Sequence, residues 1–229
     1  MGARFVNVVV VLVMICCLGA TAVADCISGD CRNGRGVYVL PDGGKYEGQF
    51  RDAKMTGTAT ITWPDGRKYT GSVKDSIKDG AGTFLFPDGK KYEGEYKDDK
   101  MTGNGIFTWP DSSRYEGALS DGKFVKGVFT WPDGSRYEGQ FKDDKPNGFG
   151  TMYTPDGLTY SGEFKNGKKD GNGTLTYRDG ATYMGKFKND KKNGPGIMAY
   201  PDGQRKELMW EDDKPMKPGQ TQSRPAQSR

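Results

Sequence analysis

The sequence predicts an all-β fold: an elongated, twisted, single-layer antiparallel sheet of tandem β-hairpin repeats. Three observations predict it. Tyr-x-Gly recurs at Tyr46, Tyr69, Tyr92, Tyr115, Tyr137, Tyr160 and Tyr183, in steps of 23, 23, 23, 22, 23 and 23 residues. A fixed period of this length marks a repeat architecture. Each tyrosine follows a turn dipeptide, Asp-Gly or once Asp111-Ser112, and Asp and Gly are turn formers for separate physical reasons. The composition fits a thin sheet better than a thick core, with 35 glycines and 12% aromatic residues but only 34% hydrophobic ones. Disordered chains are poor in aromatics, so disorder does not explain it.

The first element is not part of the sheet. Arg4 is followed by Phe5–Leu18, apolar apart from Asn7, and then by Ala22-Val23-Ala24, the small-x-small pattern of a signal-peptidase site. The apolar run is shorter than the about 20 residues a membrane span needs. Residues 1–24 are therefore read as a signal peptide cleaved after Ala24, with an uncleaved anchor as the alternative, and the protein as secreted or periplasmic. Without Arg4 the chain keeps 33 basic and 30 acidic residues, net +3. That mixed surface argues against nucleic-acid binding.

Residues 25–33 hold the two cysteines that remain, Cys26 and Cys31. A lone pair this close in an oxidising compartment is expected to form a disulfide. Gly34-Arg35-Gly36 through Leu40 reads as the second strand of a half-repeat, so the bridge would clamp the open first edge. A redox role is the alternative. Zinc would need further ligands, and the chain has no histidine.

About seven repeats follow over residues 34–210. In Tyr92-Glu93-Gly94-Glu95-Tyr96, alternation puts Tyr92, Gly94 and Tyr96 on one face and the glutamates on the other. After the polar Lys97-Asp98-Asp99-Lys100, the partner strand is expected to show Gly103, Gly105, Phe107 and Trp109 on one face. The repeat glycines Gly48, Gly71, Gly94, Gly117, Gly139, Gly162 and Gly185 would leave a slot in which a neighbouring ring lies flat on the backbone. The candidate aromatic binding face is Tyr46, Tyr69, Tyr92, Tyr115, Tyr137, Tyr160 and Tyr183 with Trp63, Trp109 and Trp131. On the opposite face Lys45, Lys91, Arg114 and Arg136 precede Glu47, Glu93, Glu116 and Glu138 by two residues, a ladder of weak surface ion pairs rather than an ion site.

The pattern has exceptions. Thr70, Ser161 and Met184 replace the glutamate after the tyrosine, and Val125 stands where a glycine is expected, inside the 22-residue period. Lys206 falls at the next tyrosine position, so the array decays into a C-terminal cap. Residues 211–229, rich in Pro, Gln, Ser and basic residues, are expected to form a disordered basic tail.

Units such as Lys91-Tyr92-Glu93-Gly94-Glu95-Tyr96 followed by Gly103-Asn104-Gly105 resemble MORN (membrane occupation and recognition nexus) repeats, over about residues 34–203. The resemblance implies consecutive hairpins in one elongated sheet, used as a scaffold or binding surface. None of the lipid-kinase, methyltransferase or membrane-junction domains to which such arrays are attached is recognisable.

No histidine, nucleophile elbow or phosphate loop is present, and the repeat period accounts for the Gly-x-Gly pairs. The sequence is thus read as non-enzymatic, with no cofactor and no metal: a scaffold that binds a protein partner or self-associates. The alternative is a cell-surface binder of membrane lipid or cell-wall glycan through the aromatic face.

Overall fold

The computed structural model describes residues 25–217; the leader over 1–24 and the tail from 218 lie outside the described residues. These residues form one open antiparallel sheet of 18 strands, with no helix among them. Two short strands, β1 (Asp25–Gly29) and β2 (Arg35–Val39), open it. Seven hairpins follow: β3–β4 (Lys45–Arg51, Lys54–Thr62), β5–β6 (Lys68–Lys74, Ile77–Leu85), β7–β8 (Lys91–Lys97, Lys100–Thr108), β9–β10 (Arg114–Ser120, Lys123–Thr130), β11–β12 (Arg136–Lys142, Lys145–Tyr153), β13–β14 (Thr159–Lys165, Lys168–Thr176) and β15–β16 (Thr182–Lys188, Lys191–Ala199). β17 (Arg205–Glu211) and β18 (Lys214–Pro215) close the sheet. Every strand pairs with its neighbours in sequence.

Two alternating turn types produce this path. Within a hairpin the loop is two residues long, and both have positive φ, 49° at Asp98 and 65° at Asp99. That is the type I′ geometry whose twist matches the strands, and Asp and Asn tolerate it better than bulkier residues. Between hairpins the Pro-Asp-Gly loop ends on a left-handed glycine, as at Gly89, whose N–H donates to the Phe86 carbonyl at 3.0 Å. The Asp88 carboxylate accepts the Lys90 N–H at 3.0 Å, and every such loop repeats this bond. Ser112 takes the glycine's place at φ 71°.

One expectation is corrected here. Gly94 pairs with Gly105, but Glu95 pairs with Thr102, so Gly103 and Asn104 are extra residues in a bulge. Gly103 sits at φ 60°, and a Cβ there would lie 2.2 Å from a Glu95 carboxylate oxygen. It therefore belongs to the glutamate face, not to the face of Gly105, because a bulge shifts the alternation by its extra residues. The same bulge explains the single 22-residue period. Between the pairs Ala118–Lys126 and Leu119–Phe124 only Val125 is extra, so no left-handed residue is required.

The bulge also carries each hairpin tip onto the preceding repeat. The Asp99 N–H donates to the Lys78 carbonyl and the Asp99 carboxylate accepts the Lys78 N–H, both at 3.0 Å. Equivalent bonds join Asp190 to Lys169 and Asp213 to Lys192. At the end of the array Trp210 takes the place of Phe187 one period on and is buried against Tyr183. The Met216 N–H donates to the Met209 carbonyl, which carries the ordered sheet past residue 210, where composition ends the array.

Candidate functional site

The tyrosines that the sequence offers as a binding face are instead the core. Tyr46, Tyr69, Tyr92, Tyr115, Tyr137, Tyr160 and Tyr183 are 0–2% exposed. Each ring lies flat over the glycine two residues on and over that glycine's cross-strand partner, a second glycine in all but the first full repeat. A Cβ on Gly94 would sit 2.3 Å from the Tyr92 hydroxyl, and one on Gly105 2.5 Å from the same ring. The rings over the glycines are thus the strand's own, not a neighbour's. Gly48, Gly71, Gly117, Gly139, Gly162 and Gly185 repeat the contact. Ala59 alone occupies the second glycine's position in a full repeat, so one methyl group is accommodated there.

The hydroxyl end of each ring is satisfied. Tyr92 donates to the Glu95 carbonyl at 3.0 Å, and the other six make the equivalent bond three residues on. Burial pushes the hydroxyls of Tyr69, Tyr92, Tyr115, Tyr137 and Tyr183 up to about 12. Residues four positions further on meet the rings edge-on and join successive repeats. Phe141 touches both Tyr115 and Tyr137, Phe164 both Tyr137 and Tyr160, and Phe187 both Tyr160 and Tyr183, at centroid distances of 4.8–5.4 Å. This zigzag of edge-to-face pairs supplies the core that a single-layer sheet otherwise lacks. Of the predicted face only Trp63, Trp109 and Trp131 are half-exposed.

At the first edge a Cys26–Cys31 disulfide takes the tyrosine's place. Cys26 pairs with Tyr38 as Tyr92 does with Phe107, and a Cβ on Gly36 would meet the Cys31 sulfur at 2.7 Å. On the opposite face Lys91–Glu93, Arg114–Glu116 and Arg136–Glu138 pair within one strand at 2.9, 2.5 and 2.7 Å, all solvated. Glu47 pairs across strands with Arg35.

Eight consecutive stretches match the MORN repeat: residues 29–45, 46–66, 69–91, 92–114, 115–136, 137–159, 160–182 and 183–205. The chain belongs to the MORN repeat family. No curated protein matches it in sequence. Among solved structures it is similar to the TCP domain of Drosophila melanogaster SAS-4 in complex with a proline-rich motif of Ana2 (11% identity, 90% of this chain and 96% of that one, TM-score 0.39). It is also similar to the TCP10 domain of Danio rerio CPAP bound to a STIL peptide (16% identity, 85% and 97%, TM-score 0.41). At these scores neither likeness carries an argument about function. MORN arrays are repeat scaffolds and binding surfaces.

The MORN array leaves open the face opposite the tyrosines, and its chemistry changes along the sheet. In the early repeats it carries the paired glutamates. From β12 onward Phe149 stands 67% exposed between two glycines, and Tyr153, Met184 and Met209 are each about 40% exposed. Phe149, Tyr153 and Met184 flank a groove floored by Gly150, Gly162 and Gly173. Sequence reasoning noted Ser161 and Met184 as exceptions but did not single out this patch. The available signal was Phe149 itself, an aromatic where the other full repeats place Thr58, Ala81, Asn104, Lys126, Asn172 or Pro195.

Proposed function

We propose that this MORN protein is an exported, non-enzymatic interaction scaffold that binds a protein partner or a second copy on the open face of its last repeats. The observation that carries the reading is the clustering of exposed Phe149, Tyr153, Met184 and Met209 in the last repeats, on a face that carries ion pairs and the exposed Leu85 earlier in the array. Contiguous exposed apolar groups rimmed by polar residues mark interaction sites in soluble proteins. Export is supported by the leader sequence and by a disulfide of the kind that persists in oxidising compartments. A non-catalytic role is supported by the absence of histidine from the sequence and by the period that accounts for its acidic residues. Lipid or glycan binding through the tyrosine rings loses its support, because those rings are buried.

The test places a photo-cross-linking amino acid at position 149 or at position 63 of the mature protein and irradiates intact cell envelopes. An adduct from position 149 and none from position 63 supports the reading. Cross-linking from position 63 alone defeats it, and an uncleaved N-terminus on cytoplasmic protein defeats the export part.

A further inference from the structure

Beside the tyrosines runs a second row of large side chains, two residues before the loop aspartate of each full repeat: Trp63, Phe86, Trp109 and Trp131, then Thr154, then Tyr177 and Tyr200. Thr154 is the one small residue in that run. Where it stands, the row opens into a slot walled by Trp131, floored by Met152, Leu158 and Leu175, and rimmed by the exposed carboxylates of Asp133 and Asp190. This is the tyrosine side of the sheet, opposite the patch around Phe149.

The chain itself shows what such a corner holds. In the first full repeat the Arg67 guanidinium lies 4.9 Å from the Trp63 ring centroid, and its Nε donates to the Asp65 carboxylate at 2.6 Å. In the next, Lys90 covers Phe86 at 4.3 Å. The loop after Trp131 keeps the tryptophan and the aspartate, with Asp133 accepting the Ser135 N–H as Asp65 accepts that of Arg67. Ser135 replaces the arginine and its hydroxyl donates to the second Asp133 carboxylate oxygen at 3.0 Å, so the internal cation is gone while the ring and the anionic carboxylate remain. The missing aromatic at Thr154 gives that corner an apolar floor as well.

We propose that the Trp131 slot is a binding site for a small organic cation with a short apolar body, an alkylguanidinium or alkylammonium. The cation sits at the mouth against the Trp131 ring and the Asp133 and Asp190 carboxylates, and the alkyl chain points inward to Met152 and Leu175. A guanidinium desolvated over a tryptophan is held more strongly than one in water. Lys169 also lines the slot, but its ammonium is engaged with the Tyr160 and Phe187 rings at 5.7 Å each. The order of the site, apolar inside and anionic outside, suits a free amphipathic cation. A phospholipid headgroup would have to place its tails on the solvent side.

Calorimetric titration of the mature protein with pentylguanidinium, pentanol and pentyl sulfate tests this. Pentylguanidinium should bind saturably and at least tenfold more tightly than the other two. Ser135→Arg, which supplies the cation in the manner of Arg67, should weaken binding at least tenfold at an unchanged unfolding midpoint. Thr154→Trp, which restores the row, should do the same. Equal binding of pentyl sulfate or pentanol overturns the proposal. So does wild-type affinity in Ser135→Arg, which keeps the test decisive even where Thr154→Trp fails to fold. Because the slot faces away from Phe149, either outcome leaves the open-face reading to its own test.

Discussion

Tyr92 with Gly94 and Gly105 is the smallest unit that accounts for the molecule. The ring covers bare backbone, and a Cβ on either glycine would overlap it, at 2.3 and 2.5 Å. Gly94→Val should therefore cost about 2 kcal/mol through overpacking. Glu93→Ala, which removes only a solvated pair with Lys91, should cost less than about 0.5 kcal/mol. Urea unfolding of the two variants checks the order. Tyr96 gives a second prediction at this scale. It occupies the edge-on position that Phe50, Phe141, Phe164 and Phe187 fill elsewhere, and its buried hydroxyl has no partner among the described residues. An unpartnered buried hydroxyl is a cost, so Tyr96→Phe should leave the unfolding midpoint unchanged or raise it. A fall of several degrees would mean the hydroxyl is bonded in solution. The repeat tyrosines also set the alkaline limit. Their folded pKa values, raised from 10 to about 12 for five of them, mean the folded state holds protons that the unfolded chain releases. Stability is therefore complete below pH 10 and is lost as pH rises from 10 towards 12. Tyrosinate absorbance should rise together with loss of β-structure by circular dichroism, and a rise well before unfolding would show the rings to be accessible.

At the scale of strands and turns, the legible parts were those with strict periodicity. Alternation along Tyr92–Tyr96 and the Pro-Asp-Gly loops could be read directly, because each residue's role is local. The bulge could not, since Gly103 and Gly105 look alike in sequence and only pairing reveals that the first needs positive φ while the second needs bare backbone. For the same reason Val125 looked like a defect, whereas it marks a smaller bulge. The tyrosine face was misread as a binding face because aromatic content does not say whether a single-layer sheet will spend its rings on its own core. Ser112 tests the turn account. It is held at φ 71° where the other loops use glycine, and a left-handed conformation costs an L-residue roughly 1–2 kcal/mol. Part of that is returned through the greater chain entropy of unfolded glycine. Ser112→Gly should stabilise by about 0.5–1 kcal/mol in thermal unfolding, and a destabilised variant would show that the loop does not keep this geometry.

For the whole molecule, stability is a sum over repeats and their junctions, so the ends matter most. The Cys26–Cys31 bridge fills the tyrosine position of the incomplete first unit, and Trp210 covers the last tyrosine. Replacing both cysteines by serine should cost about 2 kcal/mol on the chain-entropy model for so short a loop. Hydrogen exchange should rise over β1 and β2 first; uniform loss of protection along the array would refute the capping role. A sheet that spends its tyrosine rings on its own core leaves the opposite side open to a macromolecular partner. The most direct test of this is capture of the partner cross-linked at position 149 by the double variant Phe149→Asn, Met184→Glu. Both changes restore residues that other repeats carry at those positions, Asn104 and Glu93 among them, so the array should fold with the wild-type midpoint. The account predicts at least a tenfold loss of capture by this variant and none by Trp63→Phe on the tyrosine side. Undiminished capture by the double variant, with loss in Trp63→Phe, would contradict it.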